Sequence, residues 1–549
     1  MNRPEANARQ AWTPAGRTAA VDRLHAGTEP WDLLIIGGGI TGAGILREAA
    51  ARGLRALLVE QRDFAWGTSS RSARMVHGGL RYLTQGNFRL TREAVIERQR
   101  LLDEIPGLVE PLRFVYAFRR GEFPGRWVFN ILLRIYEYFA GESDRRNFDA
   151  DGAGYLLPGL NESGLRGAVQ YTDAITDDAR LVMRVLAEAM DDGGLALNDL
   201  KAKRLIHADG KVTGAEIEDR LSGRTMAVHA RCVVNATGAW AERLRGEQVD
   251  DKRLRPLRGS HLVVPSWRLP VFQALTFRHP RDQRFTYIYP WAGTTVIGTT
   301  DLDHQADLDD EARISAEELD YLLAGVHHQF PRAGIGPVDV ISTWSGVRPI
   351  VARPGADPEK IKPSQANRDH VVWNDDGLIT VTGGKLTTFR VIAMDVLDEA
   401  APMLGIERTG NRAGRFFAEV ADRVDGLRFG PWVQRRLTGW YGAGAQALID
   451  RAPKTEREFV PGGEGLLWAE LSWAAAFEAV QHLDDLLLRR TRLGLLMPRG
   501  GLDQVERIGA ICQRELGWDD ERWRDELARY RTLWARNYSL PSGIAGDQE

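Results

Sequence analysis

The chain has 549 residues, 43% of them hydrophobic, and this length exceeds what one compact core contains, so two or three domains are expected. Its 72 Lys and Arg against 75 Asp and Glu give a net charge of -3, which excludes a global field for binding nucleic acid. Only two cysteines occur, Cys232 and Cys512, which excludes a disulfide framework and a cysteine-rich metal site. The sequence therefore predicts a cytoplasmic protein with no metal site.

The first 30 residues are polar and charged and contain no signal-peptide core. We expect residues 1–30 to form a disordered tail. No later stretch approaches the roughly 20 apolar residues that a membrane-spanning helix needs. The most apolar segment, residues 127–139, is too short and carries two charges, so any membrane contact is expected at the surface of the bilayer.

The most informative segment is DLLIIGGGITGAG at residues 32–44, which joins a buried strand to a glycine-rich turn and a helix. In such a turn Gly37 permits a sharp bend, Gly39 permits close approach of a pyrophosphate, and Gly42 permits close helix packing. The next predicted strand ends in Glu60, at the spacing of an acid that binds a ribose hydroxyl. Together these residues predict a dinucleotide site at the N-terminus of the helix.

Further elements follow in chain order. Asp177 and Asp178 can cap a helix, and residues around Asp209 alternate as in a hairpin. The predicted order is a small-polar loop at 67–72, the segment MVHGGLRYL at 75–83, helices at 87–102, 123–140 and 176–191, and a hairpin within 195–219.

Two later segments are also predicted to belong to the dinucleotide-binding fold. A buried strand runs into a small-residue turn at 231–240, and the plan of strand, glycine turn and helix recurs at 378–388. Between them, residues 262–351 are mostly strand with turn signals, which predicts a sheet on the substrate side. After residue 401 the composition shifts to helix formers with Trp and Arg, which predicts a helical C-terminal domain.

Several motifs occur together in an order that resembles the FAD-dependent, quinone-linked glycerol-3-phosphate dehydrogenases of the aerobic type. They are GGGITGAG, Glu60, the Thr68-Ser69-Ser70 loop, HGGLRY at 77–82, VNATG at 234–238, GSH at 259–261, GTTD at 298–301, SGVRP at 345–349 and GGKLTT at 383–388. The resemblance covers most of the chain after Trp31. It implies oxidation of sn-glycerol 3-phosphate to dihydroxyacetone phosphate by hydride transfer to FAD, with electrons passed to a membrane quinone.

The resemblance also implies the fold. We expect an α/β (α+β overall) protein, with a glycine-rich, Rossmann-like FAD domain, a sheet-based substrate domain of the D-amino-acid-oxidase type and an added helical domain. The expected boundaries are 31–90, 150–245 and 345–400 for the FAD-binding domain, 91–149 and 246–344 for the substrate domain, and 401–549 for the helical domain.

Site residues are carried over from the matching motifs. Guanidinium forks at Arg81 and Arg348, with Arg368, suit a phosphate or the C2 oxygen, and Lys385 suits a reduced flavin. A base for the C2 hydroxyl could be His77 or His261, and each could equally be a positioning or core residue. The expected sets are catalytic His77, His261, Arg348 and Lys385; substrate-binding Arg81, Tyr82, Arg348, Arg368 and Lys385; and cofactor-binding Gly37, Gly39, Gly42, Glu60, Thr68, Ser69, Ser70, Gly78, Gly79, Ala236, Gly238, Gly383, Gly384, Lys385, Leu386 and Thr387.

A quinone acceptor implies a peripheral location on the inner face of the cytoplasmic membrane. The apolar segment 127–139 fits either a core helix or a membrane-facing helix, since arginines that suit anionic headgroups flank it: Arg119, Arg120, Arg126, Arg134, Arg145 and Arg146. Three rival functions stay open: an oxidase that passes electrons to oxygen, a flavin-binding protein without turnover, and an amino-acid oxidase. A homodimer is also left open, and no calcium-binding loop motif is present.

Overall fold

The computed structural model describes residues 8–27, 29–83, 86–245, 254–351, 369–408 and 414–543. The strands within these ranges are β1 (Trp31–Ile36), β2 (Ala56–Val59), β3 (Met75–Val76), β4 (Val109–Arg119), β5 (Arg146–Phe148), β6 (Leu165–Thr176), β7 (Leu195–Leu197), β8 (Leu200–Ala208), β9 (Lys211–Asp219), β10 (Thr225–Asn235), β11 (Leu254–Pro265), β12 (Ala274–Arg278), β13 (Phe285–Trp291), β14 (Thr294–Gly298), β15 (Leu302–Asp303), β16 (Ser342–Val351), β17 (His370–Asp375) and β18 (Leu378–Gly383).

The α-helices in the same part of the chain are α1 (Pro14–His25), α2 (Ile40–Ala51), α3 (Leu80–Leu83), α4 (Phe88–Glu104), α5 (Arg126–Ala140), α6 (Ala150–Leu156), α7 (Asp178–Asp191), α8 (Ala241–Arg245), α9 (Ala316–Gln329), α10 (Phe389–Leu404), α11 (Pro431–Tyr441), α12 (Gly444–Arg451), α13 (Trp468–Phe477), α14 (Leu493–Leu496), α15 (Val505–Leu516) and α16 (Asp520–Asn537). Among the described helices, none is long and apolar enough to cross a bilayer.

The first sheet has the strand order β17-β18-β10-β1-β2-β7, with the β8–β9 hairpin attached through β9 to β10. Strands β18, β10, β1, β2 and β7 are parallel. Parallel strands that are covered by helices on both faces consist of continuous apolar residues, because both faces are buried. In β1, Leu33, Leu34 and Ile35 are fully buried. Helix α2 packs against both α7 and α10. This sheet is the predicted dinucleotide-binding unit.

The second sheet is mostly antiparallel, with the order β15-β11-β14-β13-β12-β4-β6-β3, and β16 and β5 pair with β11 and β6. The strands expected within 262–351 form this sheet. The structure also places β3 and β6 in it, which lie within segments that the sequence assigned to the FAD-binding domain, and β16 crosses the expected boundary at residue 345. Hydrophobic alternation predicts a strand but does not say which sheet it joins, because pairing depends on distant partners.

Local predictions agree closely with the observed elements. The helices expected at 87–102 and 176–191 are α4 and α7, and the Asp177 carboxylate accepts a hydrogen bond from the Arg180 backbone N–H at 2.9 Å. The predicted hairpin is β8–β9, which turns at Asp209 and Gly210. These features depend on neighbouring residues, so sequence alone predicts them.

The N-terminal segment differs from the disordered tail that its composition predicts. Residues 8–25 form a one-turn helix and α1, and residues 1–7 lie outside the described part of the chain. Trp12 is buried against Phe64, and its indole N–H donates to the Ala196 carbonyl at 3.0 Å. The Arg17 guanidinium is also buried and pairs with Asp219 at 2.9 Å. The prediction was wrong for these residues because the partners that bury them lie far along the chain.

Helix α5 has one buried face and one exposed face. Its apolar composition alone fitted either a core helix or a membrane-facing helix. Phe129, Leu133 and Tyr136 are buried. On the opposite side Trp127 is 85% exposed and Tyr138 is 83% exposed. The exposed aromatic face lies on the protein surface.

Buried ion pairs join the helical C-terminal region to the first sheet. The Asp63 carboxylate, which follows β2, lies between the guanidinium groups of Arg489, at 2.5 Å, and Arg490, at 2.6 Å. Arg492 pairs with Asp177 at 3.0 Å at the start of α7. All of these side chains are nearly inaccessible to water, so each charge depends on its partner for compensation.

Replacing Asp63 is therefore expected to destabilise the fold. The variant Asp63→Asn removes the carboxylate that faces Arg490 and one of the three that face Arg489, and removing one partner of a buried ion pair costs about 3–5 kcal/mol. The matched control is Asp22→Asn, which breaks an exposed pair with Arg224 worth at most about 1 kcal/mol. The measurement is the midpoint of the first urea unfolding transition, and equal shifts in the two variants would contradict the assigned role.

Candidate functional site

A cavity of about 950 Å³ extends from the β1–α2 turn to the second sheet. Residues from both sheets line it, so it lies between the two halves of the molecule. Of the predicted cofactor residues, the cavity is lined by Gly37, Gly39, Glu60, Thr68, Ser69, Gly79, Ala236, Gly238, Gly383, Gly384, Lys385, Leu386 and Thr387.

The glycine turn forms one end of the cavity. Gly37 has a φ of +119°, and a Cβ atom there would lie 2.5 Å from the Ala236 carbonyl oxygen. The Gly39 backbone faces Ser69, whose hydroxyl accepts a hydrogen bond from the Ile40 N–H at 3.0 Å. The N-terminus of α2 thus opens at the cavity wall, where its N–H groups suit an anion such as a pyrophosphate.

Glu60 lies at the end of β2 beside this turn. Its carboxylate accepts hydrogen bonds from the backbone N–H groups of Gly38, at 2.7 Å, and Arg62, at 2.9 Å. Burial raises the pKa of Glu60 above its usual value, and the two hydrogen bonds oppose that rise. The two hydrogen bonds therefore hold the carboxylate in one orientation at the cavity wall.

Three predicted cofactor residues lie behind the cavity wall. A Cβ atom at Gly42 would lie 1.9 Å from the Gly37 carbonyl oxygen, so Gly42 permits the helix to pack on the turn. Ser70 is buried, and the Gly78 N–H donates to the Tyr136 hydroxyl at 2.8 Å on α5. These residues support the cavity wall and do not form it.

Three of the four predicted catalytic side chains share the cavity wall. His77, Arg348 and Lys385 line the cavity. The backbone of His77 is joined to the turn after Lys385, since its N–H donates to the Thr387 hydroxyl at 3.1 Å. The structure therefore brings together a possible base, a guanidinium group and an ammonium group from three distant segments.

His261 does not line the cavity, although it was a candidate base. Its ring is fully buried and stacks on Trp344 with centroids 4.8 Å apart. Burial lowers the pKa of His261 well below its usual value, and the positive charges of Arg348 and Arg74 lower it further. A neutral ring that Trp344 covers on one face fits a packing role better than proton transfer.

The remaining predicted substrate residues cannot be placed. Arg81 and Tyr82 belong to the short helix α3, but their side chains lie outside the described residues. Arg368 lies outside the described ranges altogether.

Sequence reasoning missed several cavity residues. Arg278 and Arg284 line it, and no local motif marks either arginine. Four aromatic residues also line the cavity: Phe114, Tyr171, Phe285 and Tyr287. Arg74 also lines the cavity, and its guanidinium lies between Trp291, at 3.8 Å, and Trp344, at 4.0 Å. Only its position, three residues before His77, could have indicated a role.

The residues present fit FAD. Gly37 leaves no room for a Cβ atom, a helix N-terminus faces the cavity, and a fixed carboxylate, Glu60, lies beside the turn, as such a fold requires for a dinucleotide. Gly383 and Gly384, with φ values of +78° and +81°, bring a second backbone turn to the cavity wall. Lys385 follows them and supplies a positive charge to the wall.

Comparison with known proteins agrees with this geometry. Residues 32–390 match the family described as FAD dependent oxidoreductase, and residues 400–523 match the C-terminal domain of alpha-glycerophosphate oxidase. The chain is 34% identical over 537 residues to the glycerol-3-phosphate dehydrogenase 2 of Mycobacterium bovis, covering 94% of this chain and 90% of that one. It is 38% identical over 373 residues to the aerobic glycerol-3-phosphate dehydrogenase of Bacillus subtilis, covering 67% and 66%.

A solved structure shows the same architecture. The FAD complex of the glycerol-3-phosphate dehydrogenase from Bacillus halodurans has a TM-score of 0.76 at 26% identity, covering 98% of this chain and 100% of that one. The predicted D-amino-acid-oxidase type of fold and the predicted cofactor, FAD, are both confirmed. The chain belongs to the FAD-dependent glycerol-3-phosphate dehydrogenase family.

Proposed function

We propose that this protein oxidises sn-glycerol 3-phosphate to dihydroxyacetone phosphate and passes the electrons to a membrane quinone. The observation that carries the proposal is one continuous cavity lined both by the glycine turn of a dinucleotide cradle and by cationic side chains. These cationic side chains include Arg348, Arg284 and Lys385, which suit a small phosphorylated polyol. The names of the relatives point to the same substrate.

The bound cofactor supplies a two-electron acceptor for the hydride that leaves C2 of the substrate. The protein must hold the substrate and remove the proton of its C2 hydroxyl. Arg348 and Lys385 provide the positive charges, and a fixed cation also stabilises a developing alkoxide. Between the two candidate histidines, His77 is the better base, because it lines the cavity while His261 is enclosed.

The exposed face of α5 supports a membrane-bound acceptor. Phe123, Trp127, Ile131 and Tyr138 are each more than half exposed on or beside this helix. Two exposed arginines, Arg126 and Arg134, lie on the helix with these apolar residues. The exposed acidic residues nearby lie beyond the helix ends: Glu122, Glu142 and Asp144. An apolar face with basic residues suits the interface of an anionic bilayer, where a quinone is reached. On this proposal the protein is peripheral on the inner face of the cytoplasmic membrane.

Oxygen is the second candidate acceptor. The match of residues 400–523 to the C-terminal domain of alpha-glycerophosphate oxidase favours it. The two acceptors are distinguished in aerated buffer, where an oxidase releases one peroxide per substrate oxidised without added quinone.

The reaction predicts anaerobic bleaching of the bound flavin by sn-glycerol 3-phosphate. Arg348→Ala is expected to keep its FAD but to lose about 2–4 kcal/mol of transition-state stabilisation, because a charge-assisted contact disappears. The measurement is stopped-flow absorbance of the flavin with substrate in excess. A wild-type flavin that stays oxidised would refute the proposed substrate, and a variant with the wild-type rate would refute the placement of the site.

The choice of His77 as base predicts a specific loss of proton transfer. His77→Asn should lower the rate of flavin reduction by about 10²–10⁴-fold and abolish its rise with pH, with little change in FAD content. His207→Asn, at an exposed position on β8, is the matched control. If His77→Asn retains the wild-type pH profile, another group removes the proton.

The membrane surface predicts a separation of two activities. Trp127→Glu with Ile131→Glu should reduce binding to phosphatidylglycerol vesicles and quinone-coupled turnover at least tenfold, while dye-coupled turnover is kept. Vesicle binding by the wild type should also weaken with salt, because screening reduces its electrostatic part. The control pair is Trp267→Glu with Val338→Glu, which are equally exposed elsewhere. If the control pair alone loses vesicle binding, the membrane surface is not α5.

A further inference from the structure

The backbone at His77 and Gly78 is held from two sides. On one side, the Thr387 hydroxyl accepts a hydrogen bond from the His77 N–H at 3.1 Å and donates one to the His77 carbonyl at 3.2 Å. On the other side, the Gly78 N–H donates to the Tyr136 hydroxyl of α5 at 2.8 Å. The segment of backbone that carries the His77 ring is therefore anchored to two distant parts of the chain.

A buried ion pair sets the direction of the Tyr136 hydroxyl. This hydroxyl donates its only proton to the Asp173 carboxylate, so its oxygen is left to accept from Gly78. The same carboxylate oxygen accepts from Arg98 of α4 at 2.8 Å, and it accepts a longer bond from the Gly78 N–H at 3.4 Å. Burial and the charge of Asp173 raise the pKa of Tyr136 well above its usual value, so the hydroxyl keeps its proton.

Gly78 permits this contact because it has no side chain. A Cβ atom at Gly78 would lie 2.4 Å from the Tyr136 hydroxyl oxygen and 2.3 Å from Cγ2 of Val95 on α4. Tyr136, Asp173 and Arg98 are all buried. Asp173 also lines the cavity, as His77 does. The buried cluster therefore stands beside the space in which the proposed base acts.

We propose that Tyr136 and Asp173 are positioning residues for His77. Tyr136 anchors the backbone of the loop, and Asp173, paired with Arg98, holds the Tyr136 hydroxyl as an acceptor. This inference rests on the proposed function, since it concerns the base that we assign there. A base must lie within hydrogen-bond reach of the proton that it removes. A displaced loop therefore slows proton removal without weakening the binding of the substrate.

Tyr136→Phe tests the anchor, because it removes one hydroxyl group and keeps the ring. In anaerobic stopped-flow reduction of the holoenzyme by sn-glycerol 3-phosphate, the limiting rate should fall about 10- to 100-fold, because a displaced base transfers the proton poorly. The half-saturating concentration should stay within about threefold of wild type, because the groups that bind the substrate are unchanged. The matched control is Tyr530→Phe, which removes a buried hydroxyl that donates to the Gly500 carbonyl at 2.8 Å in the C-terminal region and should leave the rate unchanged.

A double variant with His77→Asn separates positioning from a general loss of structure. Once the base is absent its position has no effect, so adding Tyr136→Phe to His77→Asn should lower the rate by less than about twofold. Asp173→Asn should lower the limiting rate of the wild type in the same way. Its effect should shrink in the Tyr136→Phe background, because Asp173 acts through that hydroxyl. The positioning role is overturned if the losses from Tyr136→Phe and His77→Asn multiply.

A readout without substrate keeps the failure of this inference apart from failure of the proposed function. Amide hydrogen exchange of the oxidised holoenzyme, measured by mass spectrometry on peptides that contain Gly78, should become about tenfold faster in Tyr136→Phe and stay unchanged in Tyr530→Phe. Unchanged exchange in Tyr136→Phe overturns the anchor, whichever substrate the protein oxidises. A wild-type flavin that sn-glycerol 3-phosphate does not reduce refutes the function instead. A wild-type flavin that is reduced, with Tyr136→Phe at the same rate, overturns the positioning role alone.

Discussion

The close approach of two backbone turns is the constraint on which the cavity depends. Gly37 begins the turn after β1, and Ala236 begins the turn after β10. A side chain at Gly37 would overlap the Ala236 carbonyl. Gly42 permits α2 to begin directly on the same turn. Because strands β1 and β10 are neighbours in a parallel sheet, their carboxyl ends meet at one edge and open the cavity there. A larger side chain at Gly37 or Gly42 would therefore disturb the edge of the sheet where the cavity opens.

The second requirement is a fixed distance between the cradle and the helical C-terminal region. Asp63 follows Glu60 by three residues, so the ion pairs that it makes with Arg489 and Arg490 anchor the C-terminal helices beside the Glu60 carboxylate. Buried ion pairs contribute little net stability compared with apolar contacts, but they tolerate only one arrangement. We therefore read them as devices that fix the relative position of the parts.

Short motifs predicted segments that the structure places in the cavity wall, namely the glycine turn, Glu60 and the turn before Lys385. Sequence left open or missed what depends on distant packing. His261 lies on the same strand face as Gly259, which approaches Arg348, yet Trp344 covers its ring. Arg284 belongs to no local motif, and its place in the cavity wall depends on the folding of the second sheet. The helical segment 8–25 was missed for the same reason.

The buried face of α5 contacts the loop that carries His77. The Tyr136 hydroxyl accepts a hydrogen bond from the Gly78 N–H, and it also bonds to the Asp173 carboxylate. Arg98 on α4 pairs with the same carboxylate at 2.8 Å. Gly78 follows His77, so the helix whose outer face we assign to the membrane also supports the loop that carries the proposed base. Only substitutions at exposed residues of α5 can therefore test its membrane role separately. A change at Tyr136 would also disturb the loop that carries His77.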